Sequence, residues 1–165
     1  MVIETWRGDI TTLEVDAIVN AANSSLRRGA GVCGAIFAGA GPELDEACAA
    51  IGYCAPGDAV VTPGFGLPSR WIVHTVGPVW QGGNAGEDTL LESCYRRSME
   101  AAVAVGARSI AFPAISTGVF GFPPERAACI AVATVKSTSI PELDRVILVA
   151  FDDPTYGYYR RLLAG

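Results

Sequence analysis

Short, almost unbroken apolar runs alternate along this chain with longer alanine-rich segments, and that alternation restricts the fold more than any other feature. The runs Ile3–Trp6, Ala17–Val19, Ala59–Thr62, Trp71–Val76, Ser109–Phe112 and Val146–Phe151 have the length of strands and lack a regular polar face. Strands of that kind are covered on both sides, as in a largely parallel sheet. Between them, Val32–Ala38, Glu43–Ala50, Thr89–Val105, Pro124–Ser137 and a last segment near Thr155–Leu163 read as helices. In Thr89–Val105 the residues Leu90, Cys94, Met99, Ala102 and Val103 recur at roughly helical spacing, with Glu92, Arg96, Arg97 and Glu100 elsewhere on the surface. Pro124 stands near a first helical turn, where its missing N–H costs nothing. Strands alternating with helices predict an α/β fold: a three-layer α/β/α sandwich around a mixed or parallel central sheet.

No repeat, linker or shift in composition divides the 165 residues, so one domain over 1–165 is expected. Half of the residues are apolar and 18% are charged, a balance that builds a core. No apolar run approaches the roughly 20 residues that cross a bilayer. The start, MVIETWRGDIT, has no basic segment leading into an apolar one. The expectation is therefore a cytoplasmic protein with no membrane partner. A net charge of −5 counts against a nucleic-acid backbone as partner, which calls for a basic face. It does not count against a small anion held by backbone N–H groups. Five cysteines without a CxxC pair, beside the single His74, give no metal-ligand pattern. Reduced, mostly buried thiols, no metal, no resident cofactor and a monomeric state are expected.

In open α/β sheets ligands bind beyond the C-terminal ends of the strands, so the chemistry belongs in the loops that follow strands. Three such loops stand out. The first reads NAANSSLRRGAGVCG over Asn20–Gly34, the second AISTGVFG over Ala114–Gly121, and the third begins at Phe151-Asp152. Glycine lets the backbone approach a ligand, and a helix N-terminus offers unpaired N–H groups to phosphate. Because both glycine loops run into helices, two helix N-termini are expected to flank one diphosphate. Gly29-x-Gly31-x-x-Gly34 also fits the dinucleotide fingerprint GxGxxG, but eight residues separate Asn20 from Gly29. Cys54, not an acid, stands about 20 positions further on. Neither loop ends in GKS or GKT. A nicotinamide-dependent oxidoreductase or a nucleotide triphosphatase is thus disfavoured.

Taken together, Gly8-Asp9-Ile10-Thr11, VDAIVNAANSSL at Val15–Leu26, GAGVCGAIFAGAG at Gly29–Gly41, IVHTVGPVW at Ile72–Trp80 and AFPAISTGVFGFP at Ala111–Pro123 resemble a macrodomain. The motifs span nearly the whole chain in the same order. The bacterial and mitochondrial type, related to Appr-1″-p processing proteins, is the most similar. It removes ADP-ribose from O-acetyl-ADP-ribose and from acidic side chains. The resemblance implies that Asp9 accepts from the adenine amino group beside the Ile10 N–H. It implies that Asn23 holds the distal ribose hydroxyls while Asn20 braces the loop, and these two are the candidates for catalysis. Backbone groups of Gly31, Val32 and Cys33, with those of Ser116, Thr117, Gly118, Val119 and Phe120, would cradle the diphosphate. Phe120 would wall the distal ribose, and Phe151 would stack on adenine with Asp152 nearby.

One departure matters for function. Where similar hydrolases read GGGGVDG and then Ile-His, this chain has Cys33 for the aspartate and Phe37 for the histidine. The next acids, Glu43 and Asp45, lie beyond the helix. A side-chain general base is therefore missing. The GVC segment resembles the macrodomains of some RNA viruses, a group that includes hydrolases.

Plainer readings stand beside these. Cys33 at a helix N-terminus is a conceivable nucleophile, but a small residue packed under a phosphate loop is the preferred reading. His74 reads as a satisfied core residue, and Ser116 and Thr117 as phosphate-loop donors. Asp9 also suits a turn cap, Phe151 the end of a core strand, Arg27 and Arg28 the solvent, and Trp6, Trp71 and Trp80 packing. The functional expectation is a hydrolase of ADP-ribosyl esters acting on O-acetyl-ADP-ribose or ADP-ribosylated proteins. The alternative is a module that reads ADP-ribose without turning it over.

Overall fold

The computed structural model describes residues 1–165. Six strands form one sheet in the order β1-β6-β5-β2-β4-β3. They are β1 (Val2–Arg7), β2 (Ala17–Ala22), β3 (Ala59–Pro63), β4 (Trp71–Val76), β5 (Ser109–Phe112) and β6 (Arg145–Ala150). All neighbours run parallel except β3, which pairs antiparallel with β4 at one edge. The helices are α1 (Gly31–Ala40), α2 (Pro42–Ile51), α3 (Glu87–Ala104), α4 (Pro124–Ser137) and α5 (Asp153–Ala164).

The unbroken apolar strands are explained by two separate cores, one on each face of the sheet. Along β6, Val146, Leu148 and Ala150 join the core that also holds residues of α3, α4 and α5. Ile147 and Val149 join the other, with Ile36, Phe37 and Ala40 of α1 and Leu44 and Cys48 of α2. Successive side chains of a strand point to opposite faces, so both members of each pair must be apolar. In β2 the same alternation sends Ala17 and Val19 one way and Ile18 and Ala22 the other. The mixed three-layer α/β/α sandwich is thus observed. No helix is long and apolar enough to cross a membrane.

β4, β5 and α4 have the predicted bounds, and other elements extend by a residue or a few. Three differences have physical reasons. β2 continues through Asn20 to Ala22 because it stays in register with β4 as far as Val76; Asn20 Nδ2 finds partners inside the protein, while its Oδ1 is buried without one. β6 stops at Ala150, which leaves Phe151 outside the sheet and 87% exposed. On α3 the buried stripe is Leu91, Cys94, Tyr95, Ser98, Met99 and Ala102, while Leu90 and Val103 are only half-buried. Tyr95 draws the stripe one position round the helix, its ring 4.8 Å from that of Phe112. A short 3-10 turn at Ile10–Thr12 follows β1, capped by Asp9 as its turn-cap reading expected.

Candidate functional site

A cleft of about 740 Å³ opens across the C-terminal ends of β1, β6, β5 and β2, within the range of ligand sites. Every expected ligand-binding residue lines it, from Asp9 and Ile10 through Asn23 and Gly31–Cys33 to Ser116–Phe120, Phe151 and Asp152.

At one end Asp9 does two jobs. Its Oδ1 accepts from the Thr11 N–H at 2.9 Å and the Thr11 hydroxyl at 2.7 Å, capping the 3-10 turn. Its Oδ2 makes no hydrogen bond within the protein. Asp152 likewise caps α5, with Oδ1 accepting from the Thr155 N–H at 2.9 Å. Phe151, next to Asp152 in sequence, lines the same cleft with a large ring turned to water.

The first loop is closed by Asn23. Its Oδ1 accepts from the Arg27 N–H at 3.0 Å and the Ser25 hydroxyl at 2.9 Å, while Nδ2 donates to the Arg27 carbonyl at 2.8 Å. The amide grips one peptide unit from both sides and keeps one Nδ2 hydrogen free. α1 then begins at Gly31 with φ +61° and no side-chain cap. Its first N–H groups, those of Gly31, Val32 and Cys33, have no acceptor in the protein. Such a helix end attracts anions.

Cys33 lies under this loop, 5% exposed, its Sγ 3.8 Å from Asn20 Nδ2 and 3.7 Å from the Arg27 carbonyl. The packing role fits this position, and no base touches the thiol. Asn20 is 1% exposed and does not line the cleft; it acts from behind the wall. Its side chain is turned into the interior, a position from which it braces the loop. Beyond it, Nδ2 lies 3.1 Å from His74 Nδ1, and His74 Nε2 lies 2.9 Å from the Thr62 hydroxyl. Burial pushes the His74 pKa down to about 4. A neutral ring that accepts at Nδ1 and donates from Nε2 suits those partners. The chain Cys33–Asn20–His74–Thr62 was not foreseen. Its signal was the pairing of Asn20 with His74 across β2 and β4, which no single segment reveals.

The second loop departs from expectation. α4 starts only at Pro124, after Pro123, so its N-terminus does not form the cradle. The loop's own backbone does. Ser116 holds φ +67°, a left-handed conformation costing about 1 kcal/mol or more for a residue with a Cβ. Turn bonds from Gly121 N–H to the Gly118 carbonyl (3.0 Å) and from Phe122 N–H to the Ser116 carbonyl (2.9 Å) fix the bend. The N–H groups of Gly118, Val119 and Phe120 are left without acceptors, and Val119 is 93% exposed at the lip. One helix end and one bent loop, rather than two helix ends, thus supply two rows of free donors.

The two ends of the cleft differ in charge. The only carboxylates lining it are Asp9 and Asp152, at the Phe151 end. No group of three or more His, Cys, Asp or Glu side chains is placed to hold a metal. Arg28 is exposed, as expected, and also pairs with Asp45 at 3.8 Å and lies over the Phe37 ring.

The macro domain family model matches residues 19–131. The chain is 55% identical to the O-acetyl-ADP-ribose deacetylase of Klebsiella pneumoniae, over 98% of this chain and 95% of that one. It is 50% identical to a macro domain-containing protein of Chlorobaculum tepidum, over 99% and 96%. Among solved structures, the Oceanobacillus iheyensis macrodomain with ADP superposes with a TM-score of 0.92 at 40% identity, covering 97% of this chain and 88% of that one. The Trypanosoma brucei macrodomain in complex with ADP-ribose gives 0.92 at 38% identity, covering 98% and 68%. With the family's glycine loops, its sheet and its cleft all in place, the chain belongs to the macro domain family.

Proposed function

We propose that the cleft binds ADP-ribose and that the protein hydrolyses ADP-ribosyl esters, both O-acetyl-ADP-ribose and mono-ADP-ribosylated acidic side chains. The observation that carries this reading is the double row of free N–H groups, Gly31–Cys33 and Gly118–Phe120, in one cleft. Such donors hydrogen-bond a diphosphate without any cationic side chain, so a net charge of −5 does not exclude an anionic ligand. The 55% identity to an O-acetyl-ADP-ribose deacetylase supports the reaction.

In this reading Asp9 Oδ2 accepts from the adenine amino group, and Phe151 covers the base. Guanine, with a carbonyl at the same place, would be repelled. Asn23 offers its spare Nδ2 hydrogen to the distal ribose, and Phe120 walls the other side. No carboxylate stands there to take a proton from water. Water is instead held between the loop backbone and the ligand's phosphate, and the protein contributes positioning. The reaction consumes one water: its hydroxyl joins one side of the cleaved ester C–O bond and its proton the other, giving ADP-ribose and a carboxylic acid.

The same missing carboxylate favours a second reading, a module that binds ADP-ribose without turnover. Release of ADP-ribose from a mono-ADP-ribosylated acidic substrate, followed beside a calorimetric titration, separates the two. Hydrolysis predicts release together with binding; tight binding with no release identifies a reader; no binding removes both.

A further inference from the structure

A second, smaller cavity of about 260 Å³ adjoins the cleft, and Gly77 and Phe120 line both. Its place is at the Asn23 and Phe120 end, since Ser24 forms part of its wall. The volume lies below the ~300 Å³ of the smallest sites for drug-sized ligands, so it suits a short side chain and not a second nucleotide.

The neck is shaped deliberately by a glycine. A Cβ on Gly77 would fall 2.1 Å from Ser116 Oγ, so any side chain there would collide with the second loop. Both flanks are tied to the loops that carry the cleft's distal end. The Trp80 N–H donates to the Phe120 carbonyl at 2.8 Å, and the Cys54 N–H to the Ser24 carbonyl at 2.9 Å. The outer wall, residues 81–86, is gathered by one buried carboxylate. Glu87 accepts from the N–H groups of Gln81 (2.8 Å), Gly83 (2.9 Å) and Ala85 (2.7 Å). The bonds from Gln81 and then Gly83 hold its pKa down to about 2, so it stays charged at any working pH.

The lining has a definite chemistry. Pro56, Pro78, Val79 and Leu90 are apolar, while Ser24 and Gln81 in the same lining carry polar side chains that make no hydrogen bond elsewhere in the protein. No Lys or Arg is present, and the one charge is the Glu87 carboxylate.

We infer that this cavity is an acyl subsite, receiving the carboxylic-acid portion of an ester borne on the distal ribose of ADP-ribose. The inference rests on the reading of the main cleft as an ADP-ribose site. Apolar walls take the methylene or methyl carbons, and Ser24 or Gln81 donates to the ester carbonyl. The ester enters uncharged. The acid formed by hydrolysis ionises, meets no cation, faces Glu87 and is expelled. Substrate is thereby favoured over product by the charge of the cavity itself.

The test uses binding, so it does not depend on turnover. Calorimetry compares ADP-ribose with an analogue carrying a butyryl group on the distal ribose through a non-hydrolysable amide. Wild-type protein is expected to bind the analogue at least fivefold more tightly than ADP-ribose. Leu90→Trp and Val79→Trp each fill the cavity and should reduce that ratio to one, with ADP-ribose affinity within twofold of wild type. Val79 is 50% exposed, so its replacement leaves the core intact if Leu90→Trp disturbs folding. A wild-type ratio of one, or a ratio unchanged in the filled variants, overturns the acyl subsite while leaving ADP-ribose binding in place. Failure of wild-type protein to bind ADP-ribose at all overturns the reading of the main cleft, and the acyl subsite with it.

Discussion

The two ends of the cleft are built from different materials. At the Phe151 end, recognition groups are side chains: a carboxylate with a free oxygen on Asp9, a second acid in Asp152 and an exposed aromatic ring. At the Asn23 end there is no ionisable group with a free partner site. Its donors are backbone N–H groups and one amide, and its only thiol is packed beneath the loop. The first end can discriminate one base from another by side-chain chemistry. The second can hold and orient but lines the cleft with no carboxylate. If the proposed roles hold, selectivity for the nucleotide and chemistry at the ribose are separable, and variants at the two ends should fail differently.

The largest effect expected is on the support behind the Asn23 end. His74 is wholly buried, and its folded pKa of about 4 lies below the ordinary 6.5. As pH falls below 6.5 the unfolded chain takes up a proton that the folded one refuses, so stability declines between about pH 6.5 and 4 and the loss is complete below that window. The total is on the order of 3 kcal/mol. Urea midpoints measured across this range should show the decline, and His74→Gln should flatten it while lowering stability at pH 7. A wild-type midpoint constant down to pH 4 would remove the buried neutral imidazole from the account.

Next comes Asn23. Removing its amide releases the grip on Arg27 and the proposed contact to the distal ribose, so Asn23→Ala should reduce kcat by about 100-fold. ADP-ribose affinity should fall by much less. Full turnover with weakened affinity would instead place Asn23 among groups that only bind. Asp9→Ala tests the opposite end. Loss of a hydrogen bond to a charged group, roughly 1.5–3 kcal/mol, corresponds to about 10- to 100-fold in ADP-ribose affinity, with kcat at saturation unchanged. A drop in kcat as large as that of Asn23→Ala would break the separation of the two ends. The smallest effect belongs to Cys33→Ser. A thiol that packs and does not attack should leave kcat within about threefold, whereas loss of all turnover would make it the nucleophile.

Much of the sandwich was legible because its strands are buried on both faces, and such runs as Trp71–Val76 and Ser109–Phe112 announce themselves without any tertiary information. The glycine loops were legible for a related reason: Gly31 sits at a positive φ at the very start of α1. What stayed hidden was set by contacts between distant segments. Asn20 reads locally as the first residue of a loop, yet it lies within β2, in register with His74 on the neighbouring strand. Phe151 reads as the end of a strand, but pairing stops at Ala150, opposite Arg7, and the ring turns outward. The small cavity beyond Phe120 had no local signature at all. It arises where segments near Ser24, Pro56, Pro78 and Leu90 happen to meet, and Glu87 shapes its wall from a helix terminus.

On the proposed reading this cleft holds ADP-ribose through two rows of backbone donors, with the distal ribose seated between Asn23 and Phe120. A calorimetric titration of wild-type protein with ADP-ribose, repeated with NAD, tests it most directly. One site per chain is expected, with an affinity for ADP-ribose at least tenfold above that for NAD, about 1.4 kcal/mol, because nicotinamide replaces the free anomeric hydroxyl of the distal ribose with a bulky ring facing the Phe120 wall. No binding of ADP-ribose, or preferential binding of NAD, would contradict it.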